Sequence, residues 1–520
     1  MSENNRVLIV GSGPTGMILA GQLKTAGIPV RIIDRLAAPT TTSRAFTIHA
    51  RTLEQLGQMN LHTAFLNQSI KTTSMDYHFP QKEETPKLDF TALDSVYPFC
   101  LTINQADTET ILRERLTDLG VAIEWNTQLE SFTQNDEGTI TATLQNNATE
   151  DEETTTVDWL LGCDGIRSTV RQKLNLPFDG SEYGGTMRMI DVHVDGFDYS
   201  DEAIHYFIAK DHMLLVNKLP GANHRVLISD KTEGVPPEEA RAAFQETLNN
   251  HFGGKVTIDE PAWSTNFRIS KRKSNSFRQG HIFLAGDSAH VNSPAGGQGM
   301  NVAMQDAFNL GWKLAMVING EAKPELLDSY EAERSPIASQ MLEGTNYIHS
   351  IIMAHGKGMA ERIERMKGGE WNQQAVNQVA GISYTYRQES EEEAAPTLTV
   401  GDRAPDAFLT ESQRIYDLVG AAGLTLFLFV KNEAEYTQSR GLFEALKDKY
   451  KAPFTAVFIT PENVTLPDDQ NQISDTGTFR NRYPEANLYL IRPDYHIGYI
   501  GSAEDEDALQ SYLEQFLVQS

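Results

Sequence analysis

Cysteine is almost missing from this chain: Cys100 and Cys163 are the only two among 520 residues, and no CxxC spacing occurs. A disulfide framework and a cysteine-built metal site are thereby excluded, no other metal site is expected, and a reducing, cytoplasmic setting fits best. Long apolar runs are missing too. No stretch approaches the roughly 20 residues that span a bilayer, and the Met1 to Arg6 segment leads into an apolar Val7 to Val10 too short for a signal peptide. Positive charge is in deficit, with 44 Lys+Arg against 71 Asp+Glu and a formal net charge of -27. That balance disfavours nucleic acid and anionic membrane surfaces as partners. What remains is an ordinary globular composition, 40% hydrophobic, in a chain long enough for about two to four domains.

Three stretches carry chemistry. The first is an apolar run, Arg6 to Val10, followed by Gly11-Ser-Gly13-Pro14-Thr15-Gly16, a helical pattern to Ala26, and a second strand Val30 to Ile33 that ends in Asp34 and Arg35. Strand, glycine turn, helix, strand and acid follow in the order a dinucleotide-binding unit requires. Gly11 permits the tight turn, Gly13 lets backbone approach a pyrophosphate, Gly16 allows helix and strand to pack, and Asp34 is placed to accept from ribose hydroxyls. The motif alone does not choose between FAD and NAD. The second stretch, Val157 to Ser168, is a buried strand ending in Gly162-Cys163-Asp164-Gly165, with a helix start at Ser168. The third, Phe283 to Asn301, runs from a strand through Gly286-Asp287 and a loop of small residues into a helix that begins near Met300. Gly296, Gly297 and Gly299 admit close backbone approach, and the helix start favours an electron-rich oxygen or an anion.

Between these stretches the pattern is less specific. Thr52 and Gln55 read as a helix cap, Glu109 and Arg113 as an i, i+4 pair on a helix over Asp107 to Leu119, and Glu150 to Glu153 as a solvated turn. Arg44 is either a cofactor contact or a loop charge, and His49 is structural by default. Short alternating strands from about Leu176 to Ser270, with one amphipathic helix over Pro236 to Phe252, predict an inserted antiparallel sheet whose aromatic residues, Tyr206 among them, chiefly fill a core. On the helix after Met300, Asp306 and Lys313 fall off the apolar stripe. The division expected is a nucleotide-binding part over 1–175, with 71–100 contributing to the inserted sheet, a substrate layer over 176–270, a return over 271–388, a linker over 389–396, and a small α/β unit over 397–520.

Taken together, the Gly11 to Gly16 turn, Asp164-Gly165 and Gly286-Asp287 resemble the three signatures of the single-component FAD-dependent aromatic hydroxylases, flavoprotein monooxygenases of the phenol and polyketide hydroxylase type. The resemblance covers essentially the whole chain. It implies an α/β fold: a Rossmann-like FAD-binding domain, an inserted antiparallel substrate sheet, and a C-terminal thioredoxin-like domain that here lacks redox cysteines and offers a surface for a homodimer. It further implies that Asp34 holds the adenosine ribose, that Arg44, Gln105 and Arg113 help to hold FAD, and that Asp164 serves both FAD and the nicotinamide donor. Asp287 would meet the ribityl or pyrophosphate region, with Pro294 and Gly297, Gly299, Met300 and Asn301 flanking the isoalloxazine. The implied reaction consumes NADPH or NADH and O₂ and hydroxylates a phenolic or polycyclic aromatic compound through a flavin C4a-hydroperoxide. His49 and Tyr206 are the only candidates for a substrate-activating base. Oxygen insertion or epoxidation on a non-aromatic ring, and a flavin-dependent resistance protein that modifies or binds a drug, are the alternatives.

Overall fold

The computed structural model describes residues 6–41, 44–80, 85–230, 234–352, 364, 366, 369–387, 398–462, 464, 466, 472–484 and 486–520. The linker expected over 389–396 lies outside them. At the centre is a six-stranded sheet in the order Arg278–Gln279, Ile282–Leu284, Trp159–Gly162, Val7–Val10, Val30–Ile33, Ile123–Glu124. All pairings are parallel except that of the Arg278–Gln279 edge. The four Val7–Val10 side chains are buried, as a central parallel strand covered on both faces requires. The three stretches singled out by sequence therefore end side by side, because their strands are neighbours in register: Val10 pairs with Gly162, and Gly162 with Leu284.

A second large sheet has eight strands. Its path runs Thr257–Ile258, Thr186–Asp195, Asn223–Asp230, Met213–Lys218, Ala203–Ile208, Ser74–His78, Lys87–Asp89, and Trp263–Phe267 pairs with Thr186–Asp195. Ser74–His78 is added parallel to Ala203–Ile208, so chain from before residue 100 does enter this sheet. One face, through Met75, Tyr77, Ile204 and Tyr206, joins the main core; the other, through Ile190, Phe207 and Leu214, packs on the helix Pro237–Phe252. The pleat makes this division, since alternate side chains leave a strand on opposite faces.

The C-terminal part is a five-stranded mixed sheet in the order Gln472–Asp475, Phe454–Pro461, Leu424–Phe429, Leu488–Ile491, Ile497–Gly501. One face of it packs on Trp312 and Met316 of the long helix Gly299–Ile318.

Several local expectations need correction. Thr52 does not cap a helix; the helix is Ala50–Leu56, His49 occupies the cap position, and Thr52 is buried and accepts from Gln305 Nε2 at 3.3 Å. Glu152 and Glu153 lie in a strand, Glu152–Val157, and Glu153 binds Arg31 at 2.6 Å, because a three-stranded meander brings them over the edge of the central sheet. Glu109 accepts from Gln105 at 2.8 Å and Arg113 donates to Thr110 at 2.8 Å, so the i, i+4 pair acts through charge and without a hydrogen bond between the two. Asp306 and Lys313 are wholly buried, since the Gly299–Ile318 helix is surrounded on nearly every side.

Candidate active site

A cleft of about 240 Å³ opens at the carboxyl ends of Val7–Val10, Val30–Ile33 and Trp159–Gly162. Gly11, Gly13, Asp34, Arg35, Asp164 and Gly165 from the sequence reading line it, with Ser12, Glu109 and Arg167. The turn is built by glycine for stated reasons. Gly11 has φ +103°, and a Cβ there would stand 2.3 Å from the Cys163 carbonyl oxygen. At Gly16 a Cβ would stand 2.1 Å from the Gly11 oxygen, so the helix could not pack so closely on its strand. At Gly13 a Cβ would meet nothing within 4 Å. Gly13 is therefore not required by packing inside the protein, and what it keeps clear is the cleft.

Two carboxylates frame this opening. Asp34 accepts from the backbone N–H and the hydroxyl of Ser12, both at 2.8 Å, which fixes its orientation at the strand end. Asp164 accepts through Oδ2 from Thr169 N at 2.6 Å and Val170 N at 3.3 Å, at the start of the helix Thr169–Lys173 that Ser168 caps. Its Oδ1 is buried with no hydrogen-bond partner among the described residues. Burial raises the Asp164 pKa, and hydrogen bonds from the helix backbone oppose the rise. An unsatisfied buried acceptor costs about 1–3 kcal/mol, so its persistence on a cleft wall points to a donor supplied from outside the chain.

The loop after Ile282–Leu284 forms a second shelf. Asp287 reaches solvent here, yet the surrounding protein raises its pKa, with His290 and Arg44 opposing. Behind it Asp306, fully buried, receives Gly286 N at 3.0 Å, His290 Nε2 at 2.7 Å and Arg334 Nε at 2.7 Å. Burial penalises its charge, but His290 and Arg334 prevail and its pKa falls below the usual range. This buried group thus anchors the Gly286-Asp287 turn from beneath. Gly296 and Gly297 have φ +82° and +66°, and a Cβ on Gly297 would stand 2.2 Å from Thr47 Oγ1. Asn301 fastens the loop: its Nδ2 donates to Thr47 O and Gly297 O, both at 2.9 Å, and its Oδ1 accepts from His49 N at 2.8 Å.

His49 is 1% exposed, with Nε2 2.8 Å from Gly296 O and Nδ1 without a partner among the described residues; burial pulls its pKa down to about 4, so the ring is neutral. Tyr206 is buried against Tyr77, ring centroids 5.0 Å apart, and burial raises its pKa. The remaining expected contacts, Pro14, Thr15, Gly16, Arg44, Gln105, Arg113, Asp287, Pro294, Gly297, Gly299, Met300 and Asn301, lie outside the lining of the cleft. Of these, Arg44 lies 5.4 Å from the centre of the Phe267 ring, and Pro294 is exposed on the loop.

A family model described as an FAD binding domain matches residues 4–345. The chain belongs to this FAD-binding family. It is 38% identical to pentachlorophenol 4-monooxygenase of Sphingobium chlorophenolicum over 99% of this chain and 97% of that protein. It is also 38% identical to 6-methylpretetramide 4-monooxygenase of Streptomyces rimosus, over 68% of this chain and 63% of that one. Among solved structures it resembles the OxyS anhydrotetracycline hydroxylase from Streptomyces rimosus, with a TM-score of 0.79, 27% identity and 98% of each chain covered. The cleft fits the family's cofactor: the open face of Gly13, the acid at the end of Val30–Ile33 and the unpaired Asp164 oxygen match a pyrophosphate, a ribose and a hydroxyl donor.

Sequence reasoning passed over Ser12, His290 and Arg334, and read Glu109 only as a helix pair and Asp306 only as lying off an apolar stripe. Ser12 occupies a variable position of the glycine motif and carried no signal. Asp306 and Arg334 are 28 residues apart on two helices, and only their packing joins them.

Proposed function

We propose that this protein is an FAD-dependent monooxygenase that uses NADPH or NADH and O₂ to hydroxylate a phenolic or polycyclic aromatic compound. When bound, FAD accepts reducing equivalents from the nicotinamide and activates O₂ for transfer of one oxygen atom. The single observation that carries the reading is the convergence of the open Gly13 face and the orphaned Asp164 Oδ1 on one cleft at the ends of adjacent parallel strands.

The chain's own residues divide the work. Asp34, oriented by Ser12, accepts from the adenosine ribose, with Arg35 beside it, while the Gly11 to Gly16 turn presents the backbone N–H groups of Gly13 and Thr15 to the pyrophosphate and Pro14, which has no N–H, starts the helix. Asp164 accepts a hydroxyl through Oδ1. Asp287, held by Asp306 through Gly286, meets the ribityl or pyrophosphate region. Gly297, Gly299, Met300 and Asn301 bring the N-terminal end of the long helix toward the ring, where its dipole favours negative charge. Arg44, Gln105 and Arg113 complete the cofactor grip. His49, neutral and bonded to Gly296, orders the loop and excludes water; a residue that takes the proton of a phenolic substrate is not assigned. The part over 397–520 is of thioredoxin-like type, and with no cysteine in it thiol exchange is excluded. Its role is docking.

The test is product analysis under ¹⁸O₂ with NADPH or NADH and a panel of phenols and polycyclic aromatics. One labelled oxygen in the product, with substrate-stimulated nicotinamide oxidation, is expected. A yellow protein that oxidises neither nicotinamide faster nor any member of the panel would sink the reading.

A further inference from the structure

The eight-stranded sheet carries a cluster of side chains that the flavin chemistry does not use. Asp76 and His78 lie two residues apart on Ser74–His78 and so share a face, and His205 is the parallel-register partner of Asp76 on the neighbouring strand. This face carries Phe207 and looks toward the helix Pro237–Phe252, whereas Tyr77 and Tyr206 look the other way into the main core. One ligand atom from each of the three residues lies within 4.8 Å of the others. We infer that Asp76, His78 and His205 form a site for one divalent first-row transition ion of the zinc class, cross-linking the two strands on the face opposite the cofactor cleft.

The hydrogen-bond pattern supports ligation more than a random meeting of rings. Ser200 O accepts only, so the hydrogen of His205 sits on Nε2, 3.0 Å away, and the lone pair of the neutral ring is on Nδ1. That Nδ1 lies 3.1 Å from His78 Nε2. Two imidazole nitrogens on one tetrahedral zinc, each bound at about 2.0–2.1 Å, stand about 3.3 Å apart. Asp76 Oδ2 is 4.0 Å from His205 Nδ1, within reach of a small side-chain rotation, while Oδ1 accepts from Ser74 Oγ at 2.7 Å. Thr85 Oγ1 stands 3.5 Å from His78 Nδ1. Each ligand therefore has an outer partner that fixes its orientation, the arrangement metal-binding histidines and carboxylates use. Phe207 stacks on His78 at 4.6 Å and Tyr199 meets its edge at 5.2 Å, which limits ring rotation. Three protein ligands leave the fourth position to water. Nitrogen and carboxylate donors without thiolate favour Zn²⁺, Ni²⁺ or Cu²⁺ over Mg²⁺ or Ca²⁺.

The test is calorimetric titration of untagged, chelator-treated, flavin-loaded full chain with ZnCl₂, set beside Asp76→Asn, His78→Ala and His251→Ala. His251 forms the other histidine pair of this layer, 2.7 Å from His212, and serves as control. One equivalent of Zn²⁺ is expected in wild type and in His251→Ala, with binding weakened at least about 10-fold in both ligand variants. Zinc should also raise the melting temperature of wild type but not of His78→Ala. Asp76 is partly exposed, so Asp76→Asn keeps the test open if His78→Ala folds poorly. Absence of a one-equivalent site in wild type, ligand variants that titrate like wild type, or loss in His251→Ala instead would each overturn the proposal. Flavin content is read in the same samples, so failure here is distinct from failure of the monooxygenase reading.

Discussion

The two ends of the Gly299–Ile318 helix solve opposite problems. Its N-terminal end follows a loop in which two glycines hold positive φ, and buried polar atoms in and against that loop, Gln298 Nε2 and His49 Nδ1, have no partner among the described residues. Its C-terminal half meets the mixed sheet through charges that are all matched. Lys313 Nζ donates to Glu333 at 2.6 Å and Asn309 at 2.9 Å, and Arg492 bridges Glu333 and Asp494, each at 2.6 Å. Near the same surface Arg403 holds the wholly buried Glu54 at 2.6 Å, and Arg51 reaches Asp494 O at 2.9 Å. The docking surface pairs its buried charges within the chain, although Trp312 Nε1 there has no partner among the described residues, whereas the loop by the cleft keeps polar atoms that a ligand can complete. The same helix serves both because the polar residues of its two halves face different neighbours.

The sharpest way to break this contrast is at Asp306, which lies between the two regions. Asp306→Ala strands the buried Arg334 guanidinium and releases Gly286, and we expect a loss of about 3–5 kcal/mol in urea unfolding together with loss of flavin. Retained stability would mean that Arg334 finds another partner. Glu333→Gln should cost somewhat less, about 2–3 kcal/mol, because this carboxylate keeps a little solvent contact. Its effect depends on pH with a defined sign. Burial opposes ionisation, but Arg492 and Lys313 prevail and lower the Glu333 pKa from 4.5 to about 2. The depressed value means that its contribution is full above about pH 4.5 and disappears as pH falls through about 2. The gap in unfolding free energy between wild type and Glu333→Gln should therefore be constant from pH 5 to 7 and shrink on acidification, as read from urea midpoints. A gap that widened in acid would refute the assignment.

The glycine turn allows a finer comparison. Gly16→Ala drives a Cβ into the Gly11 carbonyl and should destabilise the fold by about 1–3 kcal/mol whether or not flavin is present. Gly13→Ala places its methyl in open space and should alter the stability of the flavin-depleted protein by less than about 0.5 kcal/mol, while weakening FAD at least about 10-fold in a fluorescence titration. Unchanged FAD affinity would remove the cleft from the cofactor's path. Smallest in its effect on folding is Asp287→Ala, whose side chain reaches solvent; flavin occupancy should fall while the urea midpoint stays near that of wild type.

Much of the fold is legible in the sequence, and for local reasons. The turn after Val7–Val10 announces itself because Gly11 needs positive φ and Gly16 needs the absence of a Cβ, both properties of single positions close in sequence. The helix start at Ser168 is legible on similar grounds, and its hydroxyl accepts from Arg171 N at 3.0 Å. The failures were equally physical. Thr52 has a cap's chemistry but sits inside the helix, because His49 takes the cap position. Asp306 and Lys313 fall on the polar side of a helix read as half-exposed, and nothing in the period reveals that a second helix and a second sheet cover that side. The strands Gln472–Asp475 and Ile497–Gly501 were missed because they are short and only half buried.

Backbone chemistry written in short stretches thus determines that this chain makes strand, glycine turn and helix three times over, with an acid in the second and third turns and one after the strand that follows the first helix, and family resemblance follows from those stretches. Tertiary structure alone decides which acids stay open to a ligand and which are consumed in pairing. Asp34 and Asp306 are the same residue type, the first just after a strand and the second inside a helix, and one lies at a cleft wall while the other is sealed between His290 and Arg334. The meeting of Asp76 and His78 with His205, more than a hundred residues away, is likewise a product of strand pairing. Burial and partnership depend on what packs against a side chain, and that information is spread over the whole chain.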